Sequence, residues 1–222
     1  MDKFAKVDEK LTSLLVKQDD FLVNALRNSQ EAGLPSIEVS PAQGQFLYFL
    51  TKLSGAKRVL EIGTLAGYST LFLAKGLLDD DSSEVVTLEY DPQIAKVAHK
   101  NFEESPYRRK IRLLVGEAKD SLAKLVQEKG EPFDIIFIDA DKANNPLYLD
   151  YSLQLVKTGS LIIADNIIRE GEILNENSSD ERVIGIQQYL EKIAAESSLE
   201  SVAIATIGIK GIDGFSLSIV TK

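Results

Sequence analysis

The 222-residue chain contains no cysteine, no tryptophan, one methionine and one histidine. Without cysteine there are no disulfides, thiolate ligands or thiol nucleophiles, so any metal must be held by oxygen or nitrogen; a reducing compartment fits. The single histidine, His99, lies in the helical pattern Ile94-Ala95-Lys96-Val97-Ala98-His99 and reads as an exposed helix residue. Triad hydrolysis and zinc hydrolysis lose support with it. Positive charge is also scarce: 25 Lys and Arg against 34 Asp and Glu give a net charge of -9. That balance works against nucleic acid as a partner, because binders of a phosphate backbone carry a basic field. The acidic run Asp79-Asp80-Asp81 reads as a solvated loop. No apolar run approaches the roughly 18 to 20 residues that span a bilayer, so no membrane association is expected. The stretch Met1-Asp2-Lys3-Phe4-Ala5-Lys6-Val7-Asp8-Glu9 has early acids and no hydrophobic signal core. It reads as neither a secretory nor a transit peptide, which makes a cytoplasmic location the expectation.

What is present is ordinary globular composition in a length that suits one large domain. Residues 1–55 read as a helical cap: Leu11, Leu14, Leu15, Phe21, Leu22 and Leu26 recur at helical spacing until Pro35 breaks the pattern. Ser40-Pro41-Ala42-Gln43 predicts a helix start, with Ser as N-cap and Pro at the first position, and Gly55 a stop, giving a helix over about 41–54. Residues 56–222 alternate apolar β-rich runs with helical patterns, the signature of βαβ units in a mainly parallel α/β sheet with helices on both faces. The predicted strands are Arg58–Ile62, Val85–Glu89, Ile111–Val115, Asp134–Asp139, Ser160–Asp165, Val202–Ile207 and Phe215–Val220, with helices starting near Gly67, Pro92, Lys119, Asn144 and Asp180. Only Gly208 to Gly214 separate the last two strands, too few residues for a parallel crossover. Five parallel strands should therefore be closed by an antiparallel hairpin, seven in all.

Two groups of residues carry chemistry. The first is Glu61-Ile62-Gly63-Thr64-Leu65-Ala66-Gly67-Tyr68-Ser69-Thr70, a strand-to-helix turn with two glycines. Gly63 permits close approach of a ligand to the backbone, and the following helix offers unpaired N–H groups. The spacing is G-x-x-x-G, and Glu61 just before it suits a ligand of positive charge better than a pyrophosphate. Glu89, ending the next strand, sits where an acid takes ribose hydroxyls. Glu61, Gly63, Gly67 and Glu89 together favour S-adenosylmethionine over NAD, although glycines after a first strand also serve as plain turns. The second group is Asp139-Ala140-Asp141-Lys142 after one buried strand and Asp165-Asn166 after the next. Open α/β sheets bind ligands at the carboxyl ends of their strands. Asp139, Asp165 and Asn166 supply three hard oxygens there, leaving about three positions of an octahedral Mg²⁺ for substrate and water. Asp and Asn also cap turns for purely structural reasons. Beside a dication the ammonium form of Lys142 is disfavoured, which suits a general base.

Taken with Ser40-Pro41-Ala42-Gln43-Gly44-Gln45-Phe46-Leu47, Ala164-Asp165-Asn166 and Asp213-Gly214-Phe215, these segments resemble the cation-dependent, S-adenosylmethionine-dependent O-methyltransferases, the group of catechol and caffeoyl-CoA O-methyltransferases with small microbial relatives. The likeness runs from about Ser40 onward. It implies the Rossmann-like class I methyltransferase fold and, for the plant and bacterial branches, a homodimer. It implies further that Asp139, Asp165 and Asn166 hold the metal (Mg²⁺, or Mn²⁺ or Ca²⁺), that Lys142 takes the proton of the hydroxyl being methylated, and that Asp139 also belongs to the catalytic and cofactor surface. For the cofactor it implies Val39 and Ser69 at the methionine end, Glu61, Gly63, Thr64 and Gly67 along the turn, Glu89 at the ribose and Ala118 near the adenine. The acceptor would be a small o-diphenol; an acyl-CoA is disfavoured, since no segment resembles a basic cluster for the CoA phosphates, but stays open. Where the animal catechol enzyme places tryptophans this chain has none, and Asp141 stands at one such position; Leu65 replaces a tyrosine. Residues 167–173 and the N-terminal helix should shape the acceptor site. The rival readings are an NAD-dependent short-chain oxidoreductase, disfavoured by the glycine spacing and the lack of a Tyr-x-x-x-Lys pair, and a non-catalytic S-adenosylmethionine-binding protein.

Overall fold

A computed structural model of the chain describes residues 2–222, the side chain of Asp2 excepted. In chain order the elements are α1 (Asp2–Leu15), α2 (Asp20–Glu31), α3 (Pro41–Ser54), β1 (Arg58–Ile62), α4 (Tyr68–Gly76), β2 (Glu84–Glu89), α5 (Pro92–Glu103), β3 (Ile111–Val115), α6 (Ala118–Glu128), β4 (Phe133–Ile138), α7 (Asn145–Leu155), β5 (Val156–Asp165), α8 (Glu181–Ala195), β6 (Leu199–Gly208) and β7 (Gly211–Val220). The strands form a seven-stranded sheet in the order β3-β2-β1-β4-β5-β7-β6. The chain divides into two compact units: Lys10–Ser121, and Leu122–Lys222 with the segment up to Glu9.

In the unit Lys10–Ser121, β1 pairs parallel with β2 and β2 with β3. Val59, Leu60, Ile62, Val85 and Val86 are wholly buried, as the unbroken apolar runs of a parallel sheet require. Each such side chain contributes about 1.5–3 kcal/mol of burial. The helix expected over 41–54 is α3: Ser40 accepts from the Gln43 backbone N–H at 3.2 Å, Pro41 opens it, and Gly55 ends it at φ 65°. α3 packs on α4 through glycine: a Cβ on Gly76 would stand 2.6 Å from Thr51 Cβ, and one on Gly44 would meet the Phe72 ring at 2.4 Å.

In the other unit β4 pairs parallel with β5, while β7 runs antiparallel to both β5 and β6. The hairpin differs from the sequence expectation in length. The expected strands Val202–Ile207 and Phe215–Val220 extend to Leu199–Gly208 and Gly211–Val220, so the connection shrinks to Ile209-Lys210. Gly208 faces Gly211 in the register, with Gly211 at φ 92°, and this tight turn lets Ile212, Asp213 and Gly214 pair although Asp and Gly disfavour strands. β5 likewise begins at Val156 rather than Ser160. β6 is the edge strand and is exposed over nearly its whole length.

Candidate active site

The glycine turn is built by the unit Lys10–Ser121. Gly63 leaves β1 at φ 101° and donates its N–H to Leu88 O at 3.1 Å. Leu65 follows at φ 50°, and the Gly67 N–H closes the turn on Thr64 O at 2.8 Å, with Gly67 at φ 82° as the N-cap of α4. Glu89 holds this shape: one carboxylate oxygen accepts the Leu65 N–H and the other the Asp91 N–H, both at 2.9 Å. Those bonds occupy only part of its four lone-pair sites, so ribose hydroxyls remain chemically compatible with it. Gly67 has a packing reason of its own, since a Cβ there would overlap the Phe102 ring at 2.2 Å.

Glu61 is the surprise of this half. Its side chain is fully buried, with one carboxylate oxygen accepting from the hydroxyls of Thr70 and Thr87 (the latter at 2.6 Å), and Thr87 in turn meets Thr64 at 2.5 Å. The acid therefore joins the turn to β2 and α4 through threonines that no sequence motif singled out. Val39, Thr64 and Ser69 are buried, Gly63 is half-buried, and Ala118 is half-buried at the first position of α6. Burial pushes the Tyr68 hydroxyl up, with Glu38 adding to the shift.

The second half belongs to the other unit. Ile138 pairs with Ala164 at the last rung between β4 and β5, so Asp139 and Asp165 leave adjacent strand ends side by side. Lys142, 6% exposed, donates from Nζ to Asp139 Oδ1 at 2.8 Å. Asp165 is buried, and its Oδ1 accepts the Asn166 N–H at 2.8 Å, with Asn166 at φ 57°. Asp141, which the sequence likeness sets at an acceptor position, is committed to the loop: it accepts from Tyr148 Oη and from Asn144 Nδ2. α8 presses on the Lys142 turn at Gly185, where a Cβ would lie 2.3 Å from Lys142 O. Tyr148 and Gly185 were not found from the sequence, because their contacts cross between elements. Among the described residues no three His, Cys, Asp or Glu side chains gather as a metal cluster. Asp139, Asp165 and Asn166 contain only two such residues. The two carboxylates and the amide are nevertheless an oxygen donor set suited to a hard cation, with the Lys142 ammonium drawn to one of the carboxylates. His99 is exposed on α5, as expected.

Comparison with known proteins decides the class. A family described as O-methyltransferase matches residues 13–218. The chain belongs to the O-methyltransferase family. Relatives of this methyltransferase include a catechol O-methyltransferase of Niastella koreensis, 42% identical over 98% of this chain and 97% of its own, and one of Mycobacterium tuberculosis, 44% identical over 96% and 94%. Among solved structures, the O-methyltransferase of Bacillus cereus in complex with SAH superposes with TM-score 0.96 at 43% identity, covering 99% of both chains. TomG of Streptomyces achromogenes, in complex with SAM, gives TM-score 0.95 at 35% identity, covering 100% of the methyltransferase and 98% of TomG. The family and the wrong glycine spacing together leave the short-chain oxidoreductase reading without support.

Proposed function

We propose that this methyltransferase transfers a methyl group from S-adenosylmethionine to one hydroxyl of a catechol-type small molecule, with a divalent cation as cofactor and the two compact units acting as one domain. The observation that carries the reading is the Asp139–Lys142 pair at 2.8 Å beside Asp165 and Asn166 on adjoining strand ends. On the donor side Gly63, Thr64 and Gly67 form the turn, Glu89 takes the ribose, Val39 and Ser69 meet the methionine end and Ala118 the adenine; Glu61 acts from within the core. Asp139, Asp165 and Asn166 would hold Mg²⁺, with Mn²⁺ or Ca²⁺ as alternatives. A cation bound there would lower the pKa of two vicinal hydroxyls and orient them. Lys142 Nζ takes the proton of the reacting hydroxyl, and the phenolate oxygen then displaces the sulfonium sulfur at the methyl carbon. The C–S bond breaks as the O–C bond forms. Lys142 is buried against Asp139, so few rotamers are open to it; it would take the hydroxyl's proton as the neutral amine, after the ammonium of the ion pair has given one proton to solvent.

The relatives named catechol O-methyltransferase support the acceptor class. No described helix is long and apolar enough to cross a membrane. A homodimer is supported by the exposed apolar residues Phe4, Val7, Leu11 and Leu14, which recur at helical spacing along α1. The deciding experiment combines labelled S-adenosylmethionine with a panel of o-diphenols and metals. Methylation should stop on chelation and return with Mg²⁺, and Asp139→Ala should lose at least about 100-fold in rate. Normal methylation by chelated protein or by Asp139→Ala would overturn the metal role. Binding of S-adenosylmethionine without turnover on any o-diphenol would favour the non-catalytic alternative.

A further inference from the structure

The segment after Asn166 has an unusual backbone. Asn166, Arg169 and Glu170 all stand in the left-handed region, at φ 57°, 50° and 55°, with Gly171 at 88°. Non-glycine residues enter that region at a cost and stay only where their surroundings hold them. The holding contacts converge on the start of β7. One oxygen of Asp213, Oδ1, accepts the backbone N–H groups of Ile168 at 3.0 Å, Arg169 at 3.2 Å and Gly214 at 2.9 Å. Gly214 O accepts the Ile167 N–H at 3.0 Å, and the Ile212 N–H donates to Glu170 Oε1 at 2.9 Å. Gly214 allows the approach, since a Cβ there would stand 2.4 Å from Ile204 O and 2.8 Å from Ile168 Cδ1. A carboxylate that accepts three amides is a strong, charge-assisted anchor.

We propose that Asp213 is a positioning residue for the acceptor side of the reaction: it holds the path of residues 167–171, in which Arg169, Glu170 and Gly171 are left-handed, and thereby sets where Asn166 and the acceptor are presented. The inference rests on the function proposed above. It gives the Asp-Gly-Phe segment a task that the sequence likeness left unassigned, and it makes β7 part of the site's support although no β7 side chain is a candidate ligand.

The test compares wild type, Asp213→Ala and Asp213→Asn by amide hydrogen exchange and by steady-state kinetics with catechol, Mg²⁺ and S-adenosylmethionine. In Asp213→Ala, exchange at residues 167–170 should rise at least about 10-fold, since the anchoring acceptor is gone. Catechol kcat/KM should fall by about 10-fold or more, while KM for S-adenosylmethionine stays within about two-fold. Asp213→Asn keeps a carbonyl acceptor and should recover most of both losses. Wild-type exchange in residues 167–170 of Asp213→Ala, or wild-type catechol kcat/KM with that exchange raised, would overturn the proposal. So would a uniform rise in exchange throughout the chain in both variants, which marks a residue that only stabilises the fold. If the wild-type protein methylates no o-diphenol, the proposed function fails, and the role of Asp213 in holding residues 167–171 is still decided by exchange.

Discussion

Glu61 and Lys142 are ionisable side chains with almost no solvent: one Glu61 oxygen accepts from the hydroxyls of Thr70 and Thr87, and Lys142 is paired with Asp139. An unanswered charge in such a place would cost several kcal/mol, so these contacts belong to stability as much as to chemistry. Tyr189 shows the same rule for a neutral group. It is wholly buried against Ser216 at 3.0 Å, and burial pushes its hydroxyl from 10.0 to about 12. The folded state binds this proton more tightly than the unfolded chain does. The stabilisation is therefore complete below pH 10 and is lost as pH rises toward about 12. Thermal melts between pH 9 and 12 should show that loss in the wild type. Tyr189→Phe should flatten it, at a cost of about 1 kcal/mol at neutral pH for the missing hydrogen bond. An equally steep alkaline loss in the variant would remove Tyr189 as a cause.

Elements position the site where their backbones touch. α8 meets the Lys142 turn at Gly185, and the room that a Cβ would need there is filled by backbone atoms of Lys142 and Ala143. Gly185→Ala must therefore move the turn. Because a shift near 1 Å can cost about 100-fold in rate, kcat on catechol should drop by one to two orders of magnitude, with KM for S-adenosylmethionine unchanged. Ile186→Val, also on the buried face of α8, provides the comparison: it costs about 0.5–1.5 kcal/mol of stability and leaves kcat in place. Equal kcat for the two variants would mean that the contact matters only for folding. Capping residues make the opposite point, since α3 starts at Ser40 and Pro41 and stops at Gly55 as local chemistry dictates.

For the whole molecule, the apolar stripe of α1 and the exposed Val202, Ile204 and Ile207 of edge strand β6 are surfaces that a lone chain would leave wet. Light scattering should accordingly give twice the chain mass of 24.4 kDa, and Leu11→Asp with Leu14→Asp should return it to 24.4 kDa; a monomeric wild type would refute the homodimer. At this scale the division between sequence and structure is plain. Strands β1 and β3, the start of α5, both ends of α3 and the antiparallel closure were legible because periodicity, Pro41, Pro92, Gly55 and a short connection act over a few residues. That Asp139, Asp165 and Asn166 stand near one another was legible because residues that follow successive, paired buried strands emerge at neighbouring strand ends. The extent of the hairpin was not, since Ile212, Asp213 and Gly214 read as loop and become strand only through a partner strand. Nor were the Glu61–Thr70–Thr87 cluster, the Asp213 anchor on Ile168 and Arg169, or the Gly185 contact with Lys142. Local sequence determined the elements, the glycine turn and the candidate ligands. Only tertiary structure decided which side chains hold the turn and the candidate residues in place, because contacts 9 to 45 residues apart in the chain arise from packing and leave no periodic trace in the sequence.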